Sequence, residues 1–117
     1  MTYPSSVSEV KSSKSAKRPK PTSPRAPFPL PSGWSLDPGG KSISLKLVTK
    51  DFLEAMRIMN DLAQVAELVQ HHPDFHLEQW NKLRITTWSH DIGGLSDRDE
   101  NLAKRMSEVL ARFGYTK

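Results

Sequence analysis

Hydrophobic and polar residues change rhythm several times along this chain. Ser42-Ile43-Ser44-Leu45-Lys46-Leu47 alternates with a period of two, which puts Ile43, Leu45 and Leu47 on one face of a half-buried strand. Trp34-Ser35-Leu36 precedes it across Asp37-Pro38-Gly39-Gly40, a strong turn sequence, so the two runs predict a hairpin. From about residue 51 to 70 the spacing becomes helical. Asp51 and Glu54 fit a capping box, and Phe52, Met56, Met59, Ala63 and Ala66 form one apolar stripe. Ile58, Leu62, Val65 and Val69 form a second stripe beside it. So wide an apolar surface exceeds what one sheet face needs, and part of it is expected to meet another helix, within the chain or in a second subunit.

Pro73 is expected to stop that helix, because the residue before a proline is pushed out of the α region. Phe75-His76-Leu77 and Leu83-Arg84-Ile85-Thr86-Thr87-Trp88 then read as a second hairpin. Gly93-Gly94 breaks the chain. Ser96 with Asp99 opens a last helix, to about residue 112, whose apolar face is Leu102, Met106, Val109, Leu110 and Phe113. The order β-β-α-β-β-α with short connections predicts an α+β fold: a four-stranded antiparallel sheet with two helices packed on one face.

Composition divides the chain in two. Its 117 residues suit one domain, yet seven of the nine prolines fall within residues 1–32. Such a segment buries too little to offset the roughly 1–2 kcal/mol per residue that ordering a backbone costs. Residues 1–32 are therefore expected to be a disordered, basic, Pro/Ser-rich tail, and 33–117 the folded domain. The tail holds Lys11, Lys14, Lys17, Arg18, Lys20 and Arg25 against Glu9 alone, so the chain's formal +4 resides there. The domain is nearly neutral and offers no basic face for specific nucleic-acid binding; the tail reads as a solubilising extension, with nonspecific contact to nucleic acid or anionic surfaces as the alternative. There are no cysteines, which removes disulfides, thiolate metal ligands and a cysteine nucleophile. No apolar run approaches the ~20 residues of a membrane span, and no secretory signal is visible, so the cytoplasm is the expected location.

Candidate chemistry gathers in His71-His72-Pro73-Asp74-Phe75-His76 and at His90, at the end of the last strand. Histidine exchanges protons near neutrality. At a helix end before a proline, His71 and His72 can both line one cleft wall. Glu67 lies one helical turn before His71 and is placed to orient it. The competing roles are plain ones: a helix-terminal histidine often satisfies the last carbonyls, and Asp99 is explained as a capping residue. His72 and His76 have i, i+4 spacing, but Pro73 denies them the helical geometry of a metal-binding pair, and no metal is expected.

The ordered set Glu67, three residues, His71-His72-Pro73, six residues, Trp80, nine residues, His90, eight residues, Asp99 resembles the signature of the pterin-4a-carbinolamine dehydratases. The resemblance extends over roughly residues 33–112 and includes the segment Ser89-His90-Asp91-Ile92-Gly93-Gly94-Leu95-Ser96-Asp97-Arg98-Asp99. Two features depart from it: the proline-rich tail stands where the family usually has a first helix, and Ser89 replaces the usual threonine. The resemblance implies a hydro-lyase that dehydrates 4a-hydroxytetrahydrobiopterin to the quinonoid dihydropterin during tetrahydrobiopterin recycling, with no cofactor. It implies His71 and His90 as acid/base groups, His72 binding and orienting the pterin, and Glu67 tuning His71. It further implies Trp34 offering a ring face and Asp99 supporting the loop around His90. Implied partners are a small pterin substrate and further copies of the chain, as a dimer or tetramer. A non-catalytic role is the alternative, because relatives also serve as dimerisation cofactors of transcription factors, and the 51–70 helix would carry such a contact.

Overall fold

The computed structural model describes residues 26–115. Six elements follow in the expected order: β1 (Trp34–Leu36), β2 (Ile43–Val48), α1 (Phe52–Val69), β3 (Asp74–Glu78), β4 (Lys82–Thr87) and α2 (Asp97–Arg112). The strands form one antiparallel sheet in the order β1-β2-β4-β3. Each hairpin is local, while the central β2–β4 pairing is made across α1.

That central register aligns Leu45 with Ile85 and Leu47 with Leu83, so the period-two alternation of both strands presents one apolar face. Ile58 and Leu62 of α1 and Leu102, Met106 and Leu110 of α2 cover it, all fully buried with Ile43, Leu83 and Ile85. Burial of each such side chain stabilises the fold by about 1.5–3 kcal/mol. Gly33 allows Trp34 to enter this core: its φ is +89°, and a Cβ there would sit 2.8 Å from a Leu45 methyl.

Three local details differ from the sequence reading. Asp51 caps α1 by accepting from the Glu54 N–H at 2.7 Å, but the Glu54 carboxylate reaches the N–H of Lys50 rather than that of Asp51. The box is thus displaced by one residue. Second, α1 ends before Pro73 acts on it. Gln70 adopts a left-handed conformation (φ 57°, ψ 40°), and the N–H groups of Gln70 and His71 both close on the Ala66 carbonyl. Third, the first stripe of α1 divides. Ala66 is buried with Ile58, Leu62 and Ala55, and Met59 packs against the core, whereas Phe52 and Met56 stay largely exposed beside Leu53.

Residues 1–25 of the expected tail lie outside the described residues. Over 26–32, Phe28 and Leu30 pack against the core, and the Pro31 carbonyl accepts the Trp34 N–H at 3.1 Å. Among the described residues, no helix is long and apolar enough to cross a membrane.

Candidate active site

The left-handed turn at Gln70 decides where the two adjacent histidines go. Once helical periodicity is broken, their side chains diverge. His71 turns towards α2 and bonds through Nε2 to Asp99 Oδ1 at 2.7 Å, while His72 folds back over α1 and bonds to Glu67 Oε2 at 2.5 Å. The expected Glu67–His71 pair is therefore corrected: Glu67 serves His72, and the carboxylate of His71 comes from the other helix.

The chain leaving β4 continues its alternation and supplies the opposite wall. Thr87 and Ser89 point inward, donating to Asp99 Oδ1 at 2.6 Å and Oδ2 at 2.7 Å. Trp88 and His90 fall on the other side and stack, with ring centroids 3.8 Å apart. Ser89 and Gly94 bridge across the intervening turn, the Ser89 N–H donating to the Gly94 carbonyl at 2.7 Å, which fixes the base of the His90 loop.

Asp99 has two tasks at once. Its Oδ2 accepts the Ser96 N–H at 3.0 Å, completing the capping box of α2, while Oδ1 holds His71. The side chain is fully buried. Burial pushes its carboxyl up, but hydrogen bonds from Thr87, His71, Ser89 and the Ser96 N–H outweigh that and hold it below the usual carboxylate range. An ionised carboxylate only accepts hydrogen bonds, so His71 Nε2 must carry a proton. In the neutral imidazole, Nδ1 is then the nitrogen left to accept one.

His71, His72 and His90 line one cleft of about 450 Å³, together with Gln70, Trp88, Asp91 and Arg98. Arg98 donates to Asp91 at 2.7 Å across its rim, and this bond lowers the Asp91 carboxyl and raises the Arg98 guanidinium from their ordinary values. The cleft therefore offers imidazoles on two walls, an indole ring and an ion pair. Among the described residues, no group of three or more His, Cys, Asp or Glu is placed to hold a metal ion.

Trp34 lies elsewhere. It is a core residue, and its Nε1 donates to Ser107 at 2.9 Å, so the indole beside the histidines is Trp88. Trp80 sits at the β3–β4 turn with φ 61°, exposed and away from the cleft. Thr87, Asp91 and Arg98 were not singled out as site residues by sequence reasoning, and Trp88 was read only as a core or subunit contact. The signal for Thr87 was present in the alternation Thr87, Ser89 against Trp88, His90, which sends hydroxyls to one side and rings to the other.

Comparison with known proteins identifies the family and the fold. The family profile of pterin 4 alpha carbinolamine dehydratase matches residues 19–109. A protein of Afipia carboxidovorans, provisionally named as a pterin-4-alpha-carbinolamine dehydratase, is 39% identical over 82 residues, covering 70% of this chain and 81% of the relative. The pterin-4-alpha-carbinolamine dehydratase of Drosophila melanogaster is 38% identical over 77 residues, 66% of this chain and 40% of that longer protein. Among solved structures, a transcriptional coactivator/pterin dehydratase from Brucella melitensis superposes with a TM-score of 0.62 at 28% identity, covering 67% of this chain and 82% of that one. An antiparallel sheet backed by two helices is the framework shared with that structure. The chain belongs to the pterin-4-alpha-carbinolamine dehydratase family.

Proposed function

We propose that the protein is a hydro-lyase that dehydrates 4a-hydroxytetrahydrobiopterin to the quinonoid dihydropterin. The observation that carries this reading is the convergence of His71, His72 and His90, from a helix end and a strand end, on one cleft. Its volume lies within the roughly 300–1,000 Å³ range of small-ligand pockets. In the reaction, the C4a–O bond breaks and the departing hydroxide takes a proton to become water. A ring N–H gives up its proton as the C=N bond forms. An acid and a base are thus needed at two points around one flat heterocycle, and imidazoles on facing walls meet that need. His71, with Asp99 fixing its Nε2 proton, serves as the base through Nδ1. His90, held by stacking on Trp88, serves as the acid. His72, steadied by Glu67, binds and orients the ring. Each well-placed group contributes about 10²–10⁴-fold, so no cofactor is required for an elimination that proceeds slowly unaided. The test is stopped-flow decay of 4a-hydroxytetrahydropterin with the purified protein. Acceleration abolished in His71→Ala and His90→Ala supports the assignment; decay at the uncatalysed rate with the wild-type chain overturns it.

A second reading concerns the surface of α1. Phe52 is 50% exposed, Leu53 61% and Met56 44%, a cluster of the kind that marks contact surfaces. It serves self-association into a dimer or tetramer, or contact with a protein partner; the Brucella relative is described as a transcriptional coactivator. Sedimentation of the wild type against Leu53→Glu checks it: an unchanged monomeric mass in both, with no partner retained, removes this reading.

A further inference from the structure

The face of the sheet turned away from the helices carries a second feature, at the far end of the β3–β4 hairpin from the histidine cleft. The pairing places Lys46 directly opposite Arg84, and Arg84 directly opposite His76, so one row across three strands holds two permanent cations and an imidazole. In the next row Lys82 stands opposite Glu78 and beside Val48. Like charges directly opposite one another in a sheet are destabilising, and adjacent strands lie only about 4.8 Å apart. Yet among the described residues no side-chain hydrogen bond or ion pair engages Lys46, Arg84 or His76. Lys82 Nζ donates to the neutral Gln79 Oε1 at 2.6 Å, so among the described residues its charge, like those of the Lys46–Arg84 pair, is bonded to no carboxylate. These side chains, with Val48 as an apolar wall that is 60% exposed, line a groove of about 450 Å³.

We propose that this groove is a binding site for a small phosphate-bearing organic anion. The guanidinium of Arg84 matches two phosphate oxygens at once, Lys46 and Lys82 neutralise charge from either side, and Val48 takes the organic part. A single anion lodged there relieves the cation–cation repulsion the register imposes, which supplies a driving force the empty sheet lacks. A phosphate group fits better than a carboxylate because several oxygens must face cations arriving from two strands.

The test is titration of the full-length, isotopically labelled protein with inorganic pyrophosphate at physiological ionic strength, followed by NMR. Saturable shifts are expected at Lys46, His76 and Arg84, with the His71 and His90 signals unmoved. Removing one charge-assisted partner costs about tenfold in affinity or more, so Arg84→Gln and Lys46→Gln are each expected to weaken binding by about that factor. Lys104→Gln, on α2, leaves it unchanged. Lys46 is exposed, so its variant keeps the test decisive even where Arg84→Gln folds poorly. Shifts confined to residues 1–25 or to the histidine cleft, a response that does not saturate, undiminished affinity in Lys46→Gln, or equally tight binding of citrate would each overturn the proposal.

Discussion

Two neighbouring histidines, each bonded to a carboxylate at nearly the same distance, occupy opposite environments. The His71 side chain is 11% exposed and its partner Asp99 0%; the His72 side chain is 57% exposed and Glu67 71%. In the first pair the carboxylate is shared among two hydroxyls, a backbone N–H and the imidazole, so every acceptor position is used and the geometry is fixed by two helices and a strand. The second is a contact between two solvated side chains on one helix end, where screening and side-chain entropy cancel most of the gain. Identical chemistry thus yields a buried, fixed imidazole in one case and a solvated one in the other, the difference on which the proposed proton-handling role of His71 and binding role of His72 rest. What separates them is the single left-handed residue Gln70.

The largest effect that sharpens this contrast is on turnover. His71→Ala is expected to slow dehydration by about 10²–10⁴-fold, whereas His72→Ala costs about tenfold, mostly as a raised KM. Comparing kcat and KM for the two variants checks the split. Equal losses in kcat would mean that burial does not distinguish the two groups.

Asp99→Asn comes next. The amide keeps the volume but cannot accept from Thr87, Ser89, the Ser96 N–H and His71 together. Carboxylates that orient metal-ligating histidines contribute about 10–100-fold, and by analogy a drop of about that size in kcat is expected. Breaking one member of a buried charged network also costs about 3–5 kcal/mol, read as a lower urea midpoint at unchanged slope. Wild-type kcat in a folded Asp99→Asn variant would show that the carboxylate has a capping role alone.

A third effect follows from pH. The Asp99 carboxyl is depressed in the folded chain, so the unfolded chain binds that proton first as pH falls. Its stabilisation is therefore complete above the unfolded value of about 3.9 and is lost as pH drops through the lower folded value. Urea midpoints measured across this acid range should fall for the wild type and fall less steeply for Asp99→Asn. Parallel profiles would rule out Asp99 as the group responsible.

Much of this arrangement was legible in the sequence. The period-two runs and capping residues give the element order because local alternation and caps are decided by neighbours in the chain. His71, His72, His90 and Asp99 were brought together only by the resemblance of their spacing to the family signature. The Glu67 pairing was not, because helical i, i+4 reasoning continues the helix past Gln70, and nothing in the residue type announces a left-handed conformation there. For Trp34 the residue-level reading as a core or subunit contact is met, while the ring face implied by the resemblance is not at the cleft, because its burial against Ser107 on α2 is a tertiary fact. Arg98 was passed over, and Trp88 read as a core or subunit contact, because each becomes meaningful only once β4 and the start of α2 are side by side.

The smallest expected effect lies at the exposed pair. Glu67→Gln keeps a hydrogen-bond acceptor for His72 and removes only the charge. Exposed ion pairs contribute at most about 1 kcal/mol, so the unfolding midpoint should shift little and kcat should change by no more than about threefold. Raising salt should mimic the substitution in the wild type and leave the variant unmoved, because a pair this solvated is screened where the buried one is not. A tenfold loss of kcat in Glu67→Gln would mean that Glu67 handles charge at the reacting ring, and that the exposed pair, rather than the buried one, carries the proton chemistry.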